Sequence, residues 1–378
     1  MDKKNKNPNV PNLRFNGYTE NWQKYRTIEL GQMQRGKSKH RPRDDEKLYG
    51  GAYPFIQTGD IKKANLYIKE YERTYSNYGL SQSKLWSKGT LCITIAANIA
   101  ETAILGLNAC FPDSVIGWIS NEKITNNIFI KYYFDFYKTQ LKRLSVGGAQ
   151  ENLNLDKLEN VYFHIPTLPE QNDITNLLTK IDELIETQIK IIDSYFSLSK
   201  AISNTLIGQS KGNTRLRECL NCYSSNTMES VIKQEDLGDY PVYGANGIIK
   251  KINNYEIEYP SIAIVKDGSG VGKMFKLSGK YSILSTLNYL TSKPGYDIDY
   301  IYYALKQKSL KKYVVGSGIP HIYFKDYEQE KIYIPQNELQ QQNITSVLQS
   351  IDEEIGNEIK QLKNYELLKK YLLKNMFV

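Results

Sequence analysis

Between Arg35 and Lys47 six basic side chains, Arg35, Lys37, Lys39, Arg41, Arg43 and Lys47, stand with His40 among mainly polar residues, and Pro42 argues against a continuous helix. Lysines and forked arginines on such a loop attract phosphates without regard to sequence, although a solvated charged face has the same composition. The stretch Gly268-Ser269-Gly270-Val271-Gly272-Lys273 is no nucleotide-binding loop. The first glycine of G-x-x-x-x-G-K would fall at Asp267, and Met274 stands where a hydroxyl should hold magnesium. The only histidines are His40, His164 and His321, and no H-E-x-x-H or G-x-S-x-G occurs. Pro112-Asp113 lacks the Glu-x-Lys of a nuclease metal motif. The Asn-Pro-Pro-Tyr and Asp-Pro-Pro-Tyr words of amino-methyltransferases are missing. No constellation supports a catalytic or metal assignment. Cys92, Cys110, Cys219 and Cys222 form no disulfide framework, and the lone Cys219-x-x-Cys222 has no partner pair for zinc. With no apolar run of signal-peptide or membrane type, a reducing cytoplasm is expected.

The elements that must carry the basic loops are two long helices. Ile174, Leu178, Ile181, Ile185, Ile189, Ile192, Tyr195, Leu198 and Ile202 recur at threes and fours, which predicts a helix with one apolar face over 173–206. At an offset of 170 residues the pattern returns as Ile344, Leu348, Ile351, Ile355, Ile359, Leu362, Tyr365, Leu368 and Leu372. Local words repeat too: Ile181-Asp182-Glu183 returns as Ile351-Asp352-Glu353. Each helix, roughly 50 Å long at 1.5 Å per residue, would expose its stripe if alone. The two stripes are therefore expected to pack on each other in the coiled-coil manner, parallel or antiparallel.

The preceding segments repeat more faintly. Tyr53–Ile61 is echoed by Tyr240–Ile248, the buried-strand run Thr90–Ile95 by Ser261–Val265, and the turn Ala97–Ala100 by Gly268–Gly272. Leu144–Gly148 corresponds to Val314–Gly318, and each copy closes on Ile165-Pro166 or Ile334-Pro335. The organisation expected is a first globular domain over 1–165, a long helix over 166–207, a second globular domain over 208–334 and a second long helix over 335–378. Neither globular part shows a βαβ rhythm, so the fold class is α+β. Of the net charge of +8, residues 1–165 hold 24 basic and 16 acidic groups and 208–334 hold 17 and 13, whereas 166–207 holds 3 and 6. Positive heads beside acidic or neutral rods fit a polyanion bound at two places. The 30 tyrosines suit a surface that binds something flat and polar, and AT-rich coding would also produce them.

Val10 to Phe15 with Gly17, Tyr18 and Trp22, the words at Tyr53–Ile61 and Tyr240–Ile248, and the duplicated Gln171-x-x-Ile174 and Gln341-x-x-Ile344 helices with Ile-Asp-Glu resemble the specificity subunit of type I restriction-modification systems. The resemblance covers essentially the whole chain. It implies two target-recognition domains, each reading half of a bipartite double-stranded DNA site, and two antiparallel helices that set the gap. It also implies a subunit without catalysis that recruits two methyltransferase subunits and, in the full complex, two restriction/translocase subunits. S-adenosylmethionine, ATP and magnesium would then belong to those partners. The second domain departs from the first in lacking the Leu13–Trp22 opening words. By residue type and loop context the DNA-contact candidates are Arg35, Lys37, Lys39, Arg41, Arg43, Tyr53 and Gln57 in the first head. In the second they are Tyr243, Asn246, Lys250, Lys251, Lys266, Ser269 and Lys273. A nuclease or methyltransferase with its own site, or a protein scaffold, are the competing readings.

Overall fold

The structure, a computed structural model, describes residues 9–145, 153, 155–232 and 238–378. The chain forms two compact units, Met1–Lys190 with Lys360–Val378, and Ile191–Ile359. Among the described residues the first unit carries β1 (Gln23–Arg26), β2 (Gly31–Arg35), β3 (Tyr49–Phe55), β4 (Tyr67–Ile68), β5 (Arg73–Tyr75), β6 (Leu91–Thr94), β7 (Thr102–Leu105), β8 (Val115–Ser120) and β9 (Tyr162–Ile165). Five of these make a sheet in the order β2-β8-β6-β7-β4, antiparallel except for β4 on β7. Its central strands are buried on both faces, which is why Thr90–Ile95 reads as a continuous apolar run. Leu91 and Ile93 face a core shared with the helix Asn127–Ser145, whereas Cys92 between them faces a second core with Ile56, Trp86 and Phe111. This is the two-residue alternation of a strand.

The second unit repeats the plan. Its strands are β10 (Thr214–Arg215), β11 (Leu220–Ser224), β12 (Tyr240–Gly244), β13 (Gly247–Ile252), β14 (Ser261–Val265), β15 (Met274–Leu277), β16 (Ser282–Ile283), β17 (Leu287–Ser292) and β18 (Lys331–Ile332). The sheet β11-β17-β14-β15 is antiparallel. Ile262 and Ile264 pack on the helix Ile298–Lys306, and Ala263 and Val265 pack the other way against Val242, Tyr281 and Leu287. The echo between Tyr53–Ile61 and Tyr240–Ile248 ends in different structures. After β3, Asp60 accepts from the Gln57 backbone N–H at 2.8 Å and starts the helix Thr58–Lys63. After β12, Asn246-Gly247, with Gly247 at φ +107°, closes a hairpin instead. Of the Leu144–Gly148 echo, Val146, Gly147 and Gly148 lie outside the described residues.

The long helices are Leu168–Ser203 and Glu338–Met376. The first begins before the periodic stripe does, and Asn204–Gly208 continues it as one wider turn. In the first unit Ile174, Leu178, Ile181 and Ile185, near the start of the first helix, share a core with Leu362, Tyr365 and Leu372, near the end of the second. In the second unit Ile202 and Ile207 share one with Ile344 and Leu348. The start of each helix thus lies beside the end of the other, so the pair is antiparallel. Ile192 and Ile355 are buried, while Tyr195 and Ile351 are half-buried. Four expected seam positions need correction: Ile189, Leu198, Ile359 and Leu368 are 44, 46, 47 and 41% exposed. A straight helix drifts by about 20° per heptad against a seven-residue repeat, so a stripe spaced in threes and fours leaves a fixed contact line. The same two turns leave it in both copies, since 189 and 198 differ from 359 and 368 by the repeat offset.

Candidate nucleic-acid interface

In the first head the basic stretch is an irregular but braced loop. The Lys37 N–H donates to Phe111 O, the Lys39 N–H donates to Gln82 O, and the Ser83 hydroxyl donates to Lys37 O. His40 is held between Asp45 at 2.8 Å and the Tyr78 hydroxyl at 3.1 Å, and the N–H of Lys47 holds the Asp45 carboxyl below its ordinary pKa, with His40 adding to the effect. Arg41 and Arg43 are not free cations. The Arg43 guanidinium grips both oxygens of Asp113 at 2.8 and 2.9 Å, while Arg41 donates to the carbonyls of Ser38 and His40 and approaches Asp113 at 3.8 Å. Arg35, Lys37 and Lys39 are exposed and make no ion pair among the described residues. A cavity of about 550 Å³ lies apart from this loop, between the opening segment and the start of the first long helix. A second one, about 290 Å³, brings Arg43 and Gln57 together with Tyr49, Phe55 and Arg73. Tyr53 does not line it. Arg73, which lies over the Tyr49 ring at 5.1 Å, was not among the sequence candidates because one arginine in a short polar run carries no pattern.

In the second head two turns meet. The β12–β13 turn presents Asn246, whose Oδ1 accepts from Lys273 Nζ at 3.2 Å across the Gly268–Gly272 turn. Gly268 and Gly272 have φ of +92° and +82°, values that a side chain would strain. Ser269 is exposed on this turn, and the Gly268 N–H donates to Pro320 O, which ties it to the 314–321 loop. Lys266 is half-buried behind it, and Tyr243 is half-buried with its ring edge-on to Tyr281. Lys250 and Lys251 sit on β13, opposite Val242 and Pro241. The structure therefore brings Asn246, Ser269 and Lys273 to one edge and places the other candidates behind or beside it. In the first head the corresponding turn uses Ala97, Asn98 and Ala100 at positive φ, without glycine.

Each head is fixed to its long helix by the repeated polar words. The Tyr132 hydroxyl on the first head's helix donates to Asp182 Oδ2 at 2.7 Å, and the Tyr303 hydroxyl donates to Asp352 Oδ2 at 2.8 Å. Burial, with the aspartate's negative charge added, pushes both phenols well above their ordinary pKa and keeps them protonated donors. The Gln171 amide donates to Pro166 O and the Gln341 amide to Pro335 O, both at 2.9 Å. Sequence reasoning noticed Asp182 and Asp352 but missed the tyrosines. A signal exists in Ile130-x-Tyr132 and Ile301-x-Tyr303, displaced by one residue from the 170-residue register.

Among the described residues no group of three or more His, Cys, Asp or Glu could hold a metal ion, and no helix is long and apolar enough to cross a membrane. The fold and its exposed basic turns define a duplicated α+β protein in which each of two heads sits on an antiparallel helix pair. The chain belongs to the type I restriction modification DNA specificity domain family, whose model matches residues 19–193 and 214–364. It is similar to two proteins of Methanocaldococcus jannaschii. The type I restriction enzyme MjaVIII specificity subunit is 34% identical over 169 residues, 41% of this chain and 39% of that one. The protein carrying the name MjaX specificity subunit is 26% identical over 191 residues, 50% of this chain and 43% of that one. The chain thus matches less than half the length of these relatives. The crystal structure of a type I restriction-modification system S subunit from M. genitalium has the same fold, with a TM-score of 0.70 at 18% identity over 98% of this chain and 99% of that one.

Proposed function

We propose that this chain is the DNA-reading, non-catalytic subunit of a type I restriction-modification complex, each head recognising one half of a split double-stranded target. The observation that carries the reading is the duplicated joint. Asp182 and Asp352 accept from a tyrosine, and Gln171 and Gln341 donate to an exit proline carbonyl, at matching places in both units. The turns presented by the two heads meanwhile differ in sequence and form, as two readers of different half-sites must. Phosphate contact falls to Arg35, Lys37 and Lys39 in the first head and to Lys251 and Lys273 in the second. Base reading falls to Gln57 beside its cavity, and to Asn246 and Ser269 on the paired turns. Two methyltransferase subunits supply the chemistry with S-adenosylmethionine, and two restriction/translocase subunits with ATP and magnesium complete the assembly.

The test is to co-express the chain with a methyltransferase subunit of this system and to sequence the sites methylated from a random library. Two short defined half-sites separated by an undefined gap of constant length are expected. One continuous motif, or methylation without sequence preference, would refute the proposal.

A further inference from the structure

We propose that the two tyrosine–aspartate contacts are positioning devices that fix the pose of each head on its helix, and so set how strictly the gap between half-sites is held. The inference rests on the bipartite reading above and adds the residues that enforce it.

An aspartate next to the apolar seam needs a reason. Asp182 is buried, and a carboxylate out of water is costly unless it is paired and hydrogen-bonded. An apolar side chain there would pack without that cost, yet an aspartate stands at both related positions and is used in the same way. Apolar packing is non-directional and tolerates small slides and rotations, whereas a hydrogen bond is satisfied over a narrow range of distance and angle. The donor in each case belongs to the helix that carries the head's sheet, Asn127–Ser145 or Ile298–Lys306. The contact therefore ties the reading layer to the rod. It opposes both rotation about the rod and translation along it.

The two ties differ in their surroundings. Asp182 is also 2.6 Å from Lys369 Nζ on the second long helix, and its carbonyl accepts from Asn65 at 3.2 Å. Asp352 is half-buried, and the repeat counterpart of Lys369 is Ser199. Among the described residues Tyr303 is the one side-chain donor on the Asp352 carboxylate, and Gln349 of the second long helix adds a second tie by donating to Asp299 on the head's helix at 2.9 Å.

The experiment uses the complex with its methyltransferase subunit and a library in which both half-sites are constant and the gap length varies. The wild type is expected to favour one length. Tyr303→Phe should reduce discrimination against gaps one base pair longer or shorter by about tenfold, the worth of one hydrogen bond to a charged group. Tyr132→Phe should reduce it in the same direction, with Asn65 of the first head still donating to the Asp182 carbonyl. Half-site letters should not change. Asp352→Asn, which keeps an acceptor oxygen but loses the charge, should fall between wild type and Tyr303→Phe, whereas Asp352→Ala should behave like Tyr303→Phe. Ile264→Val, a core change in the same head, controls for lost stability alone. A folded, partner-bound Tyr132→Phe/Tyr303→Phe protein with wild-type strictness would overturn the inference, as would equal relaxation by Ile264→Val. If the wild-type complex shows no two-part site, the bipartite reading fails instead, before any variant is made.

Discussion

The joint between head and helix in the first unit holds a buried ion pair, whereas the carboxylates of its counterpart in the second unit accept from neutral donors, Asp352 from Tyr303 at 2.8 Å and Asp299 from Gln349 at 2.9 Å. Glu170, 1% exposed, accepts two hydrogen bonds from Arg14 at 2.7 and 2.8 Å and one from Trp22 Nε1 at 3.2 Å. Its repeat counterpart Gln340 is exposed. The reason lies in the opening segment, since Arg14 and Trp22 belong to the words that the second unit lacks. Lys369 on Asp182 has Ser199 as its counterpart, and Phe377, packed on Trp22, Phe129 and Tyr133, has Ile207. A duplicated frame has thus kept its apolar seam and the tyrosine–aspartate and glutamine–proline ties of each head, while the Arg14–Glu170 and Lys369–Asp182 pairs belong to the first unit. Losing one partner of a buried ion pair strands the other charge out of water, so the first joint is the more demanding of the two.

Breaking that asymmetry should give the largest effect. Lys369→Ala leaves the Asp182 carboxylate buried without its cation and should cost about 3–5 kcal/mol, and Arg14→Ala should cost a similar amount through Glu170. Ser199→Ala and Gln340→Ala, at the related positions, should stay within about 0.5 kcal/mol. Urea unfolding of the full chain measures all four. A Lys369→Ala protein as stable as Ser199→Ala would erase the distinction between the joints.

The seam should instead behave alike in both units. Leu178 and Leu348 are fully buried at related positions, so each Leu→Ala change should cost about 2–5 kcal/mol, by lost transfer energy and the cavity left behind. Costs that differ by more than about 2 kcal/mol, roughly the spread of the Leu→Ala series itself, would show that the shared frame is not energetically shared.

Charge sharpens the comparison at the proposed DNA surface. Neutralising Arg35, Lys37 and Lys39 should lower affinity for matched and mismatched DNA together and reduce the salt slope by about 2–3, near 0.9 per phosphate contact. Lys251→Gln with Lys273→Gln should reduce it by about 1–2, because only two contacts are removed. Fluorescence anisotropy titrations at several salt concentrations give both slopes. An unchanged slope in either variant removes that head's lysines and arginines from the phosphate contact.

The smallest effect concerns the thiols of the second unit. Burial pushes the Cys219 thiol up to about 12 and the Cys222 thiol up to about 11, from an ordinary 9.0. A raised thiol pKa means less thiolate at a given pH, so at pH 8 Cys222 in the native protein should react with iodoacetamide about a hundredfold more slowly than in urea. Mass spectrometry of timed samples reads the ratio, and native labelling at the unfolded rate would show that the sheet edge is open.

The sequence by itself determined the duplication, the two helices and their apolar faces, the α+β class, and the strand at Ser261–Val265. These are legible because local periodicity follows directly from helix and strand geometry, and a repeat makes each copy a check on the other. The tertiary structure decided the antiparallel sense, which a symmetric stripe leaves open, and it decided which turns leave the seam, because that depends on cumulative drift along a real helix. It also turned Tyr53–Ile61 and Tyr240–Ile248, alike as words, into a helix start and a hairpin. Above all it decided which charges are free. Arg41 and Arg43 look like Arg35 in a sequence, but Asp113, 70 residues from Arg43, claims them once β8 is brought alongside β2. Tyr132 and Tyr303 show the same limit: a tyrosine among 30 has no distinguishing mark until folding carries its hydroxyl to an aspartate 50 and 49 residues further along the chain. Such pairings depend on distance in space, and no local pattern encodes that distance.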